Sequence, residues 1–242
     1  MKCIVNIYGE SRKPIRVGKK KITMKNKNFF SVMAMTIVLL SMSFVCQAQM
    51  PAAPFDVMEI SHTLKDYTSW KKAFDADETF RKASGLEFIV VGRSVENPNN
   101  VTVVLQAGDL AKAKAFAANP RLKDVMEKNG VISKPDISYF KVIRMNPDSK
   151  EKSWVVVTHK VKDFDAWLKV FDKEGTAARA SQGLIDVLVS RSIDDPSIVH
   201  LVFDIKDMAK AKASLFSEEK KKLMMGAGVV GPPKFEFFNQ GE

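Results

Sequence analysis

Cysteine is nearly absent from this 242-residue chain: Cys3 and Cys46 are the two examples, and both precede residue 49. Residues 49–242 therefore have no disulfide, no thiolate nucleophile and no cysteine metal ligand. The phosphate-binding pattern Gly-x-x-x-x-Gly-Lys and the zinc-protease pattern His-Glu-x-x-His are also missing. Three unclustered histidines do not make a structural zinc site, so we predict no metal.

Long apolar runs are also scarce, and the one that occurs lies near the N-terminus. From Phe29 to Val45 the sequence carries no charge, follows two lysines and leads into the small residue Ala48. This order of basic, apolar and small residues is that of a secretory signal. A permanent membrane anchor is the alternative, but the run is short for a span and no basic cluster follows it. We predict a signal peptide with a basic lead over residues 1–48, and an exported, periplasmic or extracellular protein that leaves the membrane.

Excess positive charge is confined to the same segment. The full chain has 38 Lys and Arg against 28 Asp and Glu, a net charge of +10. Nine of these basic residues and one acidic residue lie in residues 1–48, which leaves 29 basic against 27 acidic residues, or +2. A nearly neutral mature chain has no electrostatic reason to bind nucleic acid, and we predict no such partner.

An internal repeat organises residues 49–242. The segment 60–70 matches the segment 157–167 at an offset of 97 residues. One inserted residue near Gln182 changes the offset to 98, and the match then continues as far as Pro135 and Pro233. The sequence therefore predicts a first repeat over residues 49–145, a polar linker over residues 146–153 and a second repeat over residues 154–242.

Each repeat has the pattern strand, helix, strand, strand, helix, strand. Asp66 and Asp163 are placed to cap the first helices, whose aromatic residues follow at the spacing of one helix face. Asp109 and Asp207 precede the second helices. The order βαββαβ is the ferredoxin-like unit, in which helices cover one face of the sheet. Because the other face needs a partner, we predict an α+β fold in which the two sheets meet as an intramolecular pseudo-dimer.

Several motifs resemble the dimeric α/β-barrel superfamily. They are the histidine in the first strand, the Asp-aromatic-x-x-Trp helix start, the Asp-Pro hairpin and the closing Gly-Val-Val-Gly-Pro-Pro of residues 228–233. The superfamily includes antibiotic-biosynthesis monooxygenases, haem-degrading enzymes, polyketide cyclases and proteins of unknown role. The resemblance covers nearly all of residues 55–240 and implies two units that form a barrel around a cavity. The first repeat departs at the closing motif, where residues 132–135 read Ile-Ser-Lys-Pro.

His62 and His159 are the candidate catalytic residues. Each lies on a strand face that is otherwise apolar. An imidazole in this setting can act as a general base, an axial haem ligand or a hydrogen-bond donor to a substrate. The alternative is a packed histidine that donates to a backbone carbonyl, because the sequence places no acidic partner beside either residue.

Arg93 and Arg191 are candidate ligand-binding residues. Each extends from an apolar strand face, where a guanidinium needs a carboxylate. An anionic ligand can supply it, but salt bridges to Asp75 and Asp172 are favoured.

Trp70 and Trp167 complete the set of candidate ligand-binding residues. They can form the floor of a pocket, although an aromatic stripe on a helix more often packs in the core. His200 has a threonine as its counterpart in the first repeat and is interpreted as a surface or edge residue.

Three functions are compatible with these residues. The first is the binding of a small apolar or aromatic molecule in the cavity between the sheets, with no cofactor. The second is an enzyme similar to cofactor-free monooxygenases, in which His62 or His159 abstracts a proton. The third is haem binding or breakdown, with one of these histidines as axial ligand. The sequence does not decide whether the protein is an enzyme.

Overall fold

The computed structural model describes residues 52–148 and 150–242, so the predicted signal peptide lies outside the described residues. The first repeat contains β1 (Phe55–Thr63), α1 (Tyr67–Ala76), α2 (Glu78–Ala83), β2 (Leu86–Ser94), β3 (Asn100–Ala107), α3 (Leu110–Ala117), α4 (Pro120–Lys128) and β4 (Asp136–Met145). The second repeat contains β5 (Ser153–Val161), α5 (Phe164–Glu174), α6 (Thr176–Ser181), β6 (Leu184–Ser192), β7 (Ile198–Ile205), α7 (Met208–Leu215), α8 (Glu218–Gly226) and β8 (Val229–Gln240).

The helix starts are those that the sequence predicts. The Asp66 side chain accepts a hydrogen bond from the Ser69 amide at 2.8 Å, and Asp163 accepts one from the Ala166 amide at 2.7 Å. These carboxylates satisfy amides that have no partner within the helix. Asp109 caps α3 in the same way.

Each predicted helix is a pair of short helices. In the first repeat Asn119 caps a new helix and Pro120 follows at its first turn, because a proline cannot continue α3. In the second repeat Gly175, with φ of 82°, separates α5 from α6. The helices α2 and α6 begin at Glu78 and Thr176, which are 98 residues apart, so the extra residue of the second repeat precedes α6 and is Gly175. The predicted position of this insertion, near Gln182, is wrong.

A glycine pattern at residues 226–231, Gly-Ala-Gly-Val-Val-Gly, has the spacing of a dinucleotide-binding turn. Here it closes α8 and begins β8, with Gly228 at φ of 88° and Gly231 at φ of 74°. Dinucleotide sites need the opposite order, a strand followed by the N-terminus of a helix. The pattern is therefore a helix-to-strand connection.

The eight strands close into one barrel in the order β1, β3, β2, β8, β5, β7, β6, β4. Each repeat supplies four strands, and the two sheets join at two seams. The seam of β4 with β6 has five register pairs, and the seam of β2 with β8 has three. The predicted α+β pseudo-dimer is confirmed, and each of the eight strands has a hydrogen-bonded neighbour on both sides over at least part of its length.

Two apolar cores lie outside the barrel, each between a sheet and its own helices. The first contains Met58, Trp70 and Phe116, and the second contains Val157, Trp167 and Phe203. A third, smaller cluster of Val57, Phe140 and Val142 lies on the inner face. None of the helices in the described ranges has the length and apolar content needed to cross a bilayer.

Candidate functional site

The two sheets enclose a cavity of about 400 Å³, here called the lumen. All eight strands and the connection between β4 and β5 line it. Most of the lining is apolar and includes Phe55, Ile89, Val104, Trp154, Leu188 and Val202. A cavity of this size is within the range of small-molecule sites, which runs from roughly 300 to 1,000 Å³.

Strand alternation sorts the side chains of β1 between the lumen and the helices. Val57, Glu59 and Ser61 line the lumen, whereas Ile60 and His62 lie on the opposite face. The same rule places alternate residues of β7 in the lumen. Because β1 and β7 each pair with a strand on both sides, their side chains are held in fixed positions across the cavity.

Glu59 and His200 form an acid and imidazole pair inside the lumen. The Nε2 atom of His200 lies 3.1 Å from Oε1 of Glu59, and Nδ1 lies 3.2 Å from the Thr158 hydroxyl. The Phe140 ring lies 4.2 Å from the imidazole, centroid to centroid. His200 is only 4% exposed, yet Nε2 has no aligned hydrogen bond to any protein atom among the described residues.

This pair is built once, although the chain is a duplication. The residue equivalent to Glu59 in the second repeat is Val156, and the residue equivalent to His200 in the first repeat is Thr102. Each repeat thus supplies one half of the pair. The pair therefore breaks the twofold repetition of the two sequence copies.

Hydroxyl groups and the Trp154 indole also line the lumen. The hydroxyls of Ser61 and Thr102 lie 2.7 Å apart, and the Ser190 hydroxyl donates to the His200 carbonyl at 2.9 Å. Trp154 passes so close to Gly92 that a Cβ at residue 92 would lie 2.8 Å from its ring. Glycine is therefore required there for the indole to enter the lumen.

Comparison with known proteins identifies the fold. No protein-family model and no curated protein sequence matches the chain. Solved structures with similar folds include an anthrone oxidase-like protein, at a TM-score of 0.53 and 12% identity over 78% of this chain and 92% of that chain. The chain has the dimeric α/β-barrel fold.

Two further solved structures of similar fold have names that indicate different functions. A candidate monooxygenase from Lactobacillus acidophilus has a TM-score of 0.51 and 14% identity, over 77% of this chain and 94% of that chain. A haem-binding protein from Thermus thermophilus has a TM-score of 0.50 and 13% identity, over 78% of this chain and 92% of that chain. At such identities the likeness shows the fold alone.

His62 and His159 lie outside the lumen of this dimeric α/β barrel. Each lines a cavity of about 50 Å³ between a sheet and its helices, with the ring centroid 5.5 Å from that of Trp70 or Trp167. Neither ring nitrogen of either histidine bonds to a protein atom in the described ranges, so the expected bond to a backbone carbonyl is absent. Burial lowers the pKa of each imidazole to about 4, which makes it a weak base at neutral pH.

Trp70 and Trp167 also lie on the helix side. Both are buried members of the two outer cores, and they stack on Phe74 and Phe171. The structure thus brings each candidate histidine together with its candidate tryptophan, but it keeps the two pairs apart, one beneath each set of helices.

Arg93 and Arg191 occupy equivalent positions at the ends of β2 and β6. Each Nε donates to a turn carbonyl, that of Pro98 at 2.9 Å or of Pro196 at 2.8 Å, and each guanidinium lies over an aromatic ring. The favoured salt bridges to Asp75 and Asp172 are wrong. These aspartates pair instead with Lys71 and Arg144, and a half-buried guanidinium over a ring needs no carboxylate.

His200 is the functional candidate that sequence reasoning misplaced, because it is a buried luminal residue and not a surface or edge residue. The signal was available in part, since His200, Val202 and Asp204 alternate with the apolar Val199, Leu201 and Phe203. Alternation identifies two faces but does not say which one meets the opposite sheet.

The two cavities beside the candidate histidines do not fit a haem. No group of three His, Asp or Glu side chains suited to a metal ion occurs within residues 52–148 and 150–242. The cavities beside His62 and His159 have room for a water or two, at roughly 30 Å³ each, but not for a porphyrin. The lumen is larger, but its lining has four carboxylates and one lysine, whereas the two haem propionates need cationic partners.

Proposed function

We propose that the chain is exported after cleavage behind Ala48 and that it binds a small molecule with an apolar or aromatic body in the lumen. One observation carries the proposal: a cavity of about 400 Å³ with apolar walls surrounds a single buried acid and imidazole pair. A few convergent polar groups in an apolar cavity are the usual composition of a ligand site, in which the walls supply affinity and the polar groups supply orientation.

The lumen is a better ligand site than the two helix-side cavities. Each of those has about one eighth of the volume of the lumen, and Trp70 or Trp167 packs directly on its histidine. In the lumen Trp154 and Phe238 lie together as a stacked pair, with ring centroids 6.0 Å apart. These rings offer an aromatic surface to a flat ligand.

Filling the lumen is expected to abolish binding. Val104→Trp and Val202→Trp place an indole in the cavity from opposite repeats, and each should weaken binding of the neutral fluorophore N-phenyl-1-naphthylamine at least about tenfold. The measurement is a fluorescence titration of the exported protein, whose N-terminal sequence also gives the cleavage site.

Leu223→Trp is the matched control, because it adds the same ring to an exposed position on α8. Unchanged binding in both luminal variants would place the fluorophore elsewhere and contradict the proposal. An N-terminus upstream of residue 49 in the exported protein would contradict cleavage after Ala48.

A second candidate function is an enzyme similar to cofactor-free monooxygenases. The Glu59 and His200 pair favours it, because a carboxylate held beside an imidazole in a largely apolar cavity can accept the proton of a substrate hydroxyl. The residues in this role would be Glu59 and His200, in place of His62 and His159.

Oxygen consumption distinguishes this enzyme from a binding protein. With a panel of naphthoquinols, an enzyme should consume dissolved oxygen, and Glu59→Gln should slow consumption by roughly 100-fold or more, the usual contribution of a general base. His62→Gln serves as the control and should retain the rate. If no quinol in the panel causes oxygen consumption, the enzyme function is contradicted and small-molecule binding remains as the proposed function.

A further inference from the structure

The lumen carries more negative than positive groups. Its ionisable lining consists of Glu59, Glu151, Asp204, Glu236, His200 and Lys150. Lys150 is thus the one permanently cationic side chain among the described lining residues, against four carboxylates. Field lines in a cavity with apolar walls are weakly screened, so this imbalance favours a cation over an anion.

Glu59 is the carboxylate best placed to meet a ligand. Glu236 already has Lys234 as an ion partner at 2.9 Å, and Asp204 accepts a hydrogen bond from the Glu151 amide at 3.3 Å. The Glu59 side chain is 17% exposed, and the surface that it exposes lies in the lumen. A carboxylate in an apolar cavity is costly to keep ionised without a cationic or hydrogen-bonding partner.

His200 does not supply that partner fully. Its Nε2 atom is at ion-pair distance from Glu59, but the bond direction does not suit a hydrogen bond from Nε2 to the carboxylate. Its Nδ1 atom lies 3.2 Å from the Thr158 hydroxyl, and either ring nitrogen can carry the hydrogen of the neutral imidazole. The Glu59 carboxylate therefore keeps acceptor capacity on the side that lines the lumen.

We infer that the lumen selects molecules that carry a protonated amine on an apolar or aromatic body, with Glu59 as the ion partner. This inference rests on the proposed function. A primary ammonium has three donors and no acceptor, so it can donate to the Glu59 carboxylate and to a luminal hydroxyl. The apolar walls and the stacked pair of Trp154 and Phe238 hold the body.

Three naphthalene compounds of one shape and different charge test this inference. They are 2-naphthylmethylamine, 2-naphthalenemethanol and 2-naphthoate, titrated by calorimetry into the purified protein at pH 7.5. The amine is expected to bind at least about tenfold more tightly than the alcohol, and the carboxylate is expected to bind most weakly. In Glu59→Gln the amine and the alcohol should bind within about threefold of each other.

Two further variants keep the test decisive. Glu87→Gln removes the same charge from an exposed position on β2 and should keep the preference for the amine. His200→Thr introduces the residue of the first repeat and retains Glu59, so the preference should persist even if Glu59→Gln fails to fold. Equal or tighter binding of the carboxylate, or loss of the preference in His200→Thr, would overturn the assignment to Glu59.

The outcomes also separate this inference from the proposed function. Binding of the alcohol that Val202→Trp abolishes, without preference for the amine, would support a luminal ligand and overturn its cationic class. If none of the three compounds binds, and Val104→Trp and Val202→Trp bind the fluorophore as tightly as the parent protein, both proposals fail.

Discussion

Lowering the pH from 7.5 to 5 is expected to reduce the free energy of unfolding by about 4 kcal/mol through His62 and His159 alone, about 2 kcal/mol from each. Burial lowers the pKa of both imidazoles from 6.5 to about 4. At pH 7.5 each is neutral in the folded and in the unfolded chain, so neither contributes to the pH dependence.

The sign follows from which state takes up the protons. As the pH falls below 6.5 the unfolded chain protonates His62 and His159, while the folded chain keeps these two residues neutral until the pH approaches about 4. Protonation therefore favours unfolding throughout this window. The stability is complete above pH 6.5 and declines between pH 6.5 and pH 4.

Urea denaturation at pH 7.5 and at pH 5 measures the effect. The variant His62→Phe with His159→Phe should lose about 4 kcal/mol less than the parent chain between these pH values, and each single variant about 2 kcal/mol less. The parent, the two single variants and the double variant have the same carboxylates, so differences between their pH-dependent losses of stability report on His62 and His159. The same decline in the parent and in the double variant would show that the imidazoles are protonated or solvated in the fold.

Arg179→Leu is expected to destabilise the protein by about 3 kcal/mol, because it breaks a buried ion network. The Arg179 side chain is 2% exposed, and its Nε and Nη2 atoms donate to the two carboxylate oxygens of Asp186 at 2.7 and 2.6 Å. Glu174 lies 3.4 Å from Nη1 and also pairs with Lys220. Burial by itself lowers the pKa of Arg179, but the carboxylates outweigh it and raise that pKa.

Arg81 in the first repeat is the matched control. It is buried, lies over the Phe74 ring as Arg179 lies over Phe171, and donates to the Phe74 carbonyl. Phe88 stands where the second repeat has Asp186, and burial lowers the pKa of Arg81. Since Arg81→Leu leaves no paired carboxylate behind, it should cost only about 1 to 2 kcal/mol.

Urea midpoints of the two variants provide the comparison. The double variant Arg179→Leu with Asp186→Phe places at residue 186 the phenylalanine of the first repeat. It should recover part of the lost stability, because it removes the carboxylate that Arg179→Leu leaves without its partner. Equal losses for Arg81→Leu and Arg179→Leu would show that packing on the aromatic ring accounts for both effects, and that the ion network adds nothing to stability.

The local structure was largely predictable from the chain itself. Asp66 and Asp163 cap their helices because a short acidic side chain reaches the free amides of the first turn, whatever surrounds it. The division of each predicted helix into two was harder to see. Pro120 gives a signal for one break, but Asp77 ends α1 without proline or glycine, and tertiary packing sets that boundary.

The candidate site was predicted less well. His62 and His159 were predicted as site residues because each imidazole lies on an apolar strand face. In the structure both of these faces pack against helices and not against the opposite sheet. The salt bridges expected for Arg93 and Arg191 assumed that a guanidinium on such a face is fully buried. Both residues lie near the ends of their strands, where turn carbonyls and aromatic rings are within reach.

The sequence by itself determined the duplication, the βαββαβ order of each copy and the meeting of the two bare sheet faces, because each sheet has a face that cannot remain in water. Closure into one barrel was what the resemblance implied. Only the tertiary structure decided which strand faces meet across the lumen. Glu59 and His200 are far apart in the chain and come from non-equivalent positions of the two copies. Their contact depends on the register and tilt of eight strands, which no local pattern encodes.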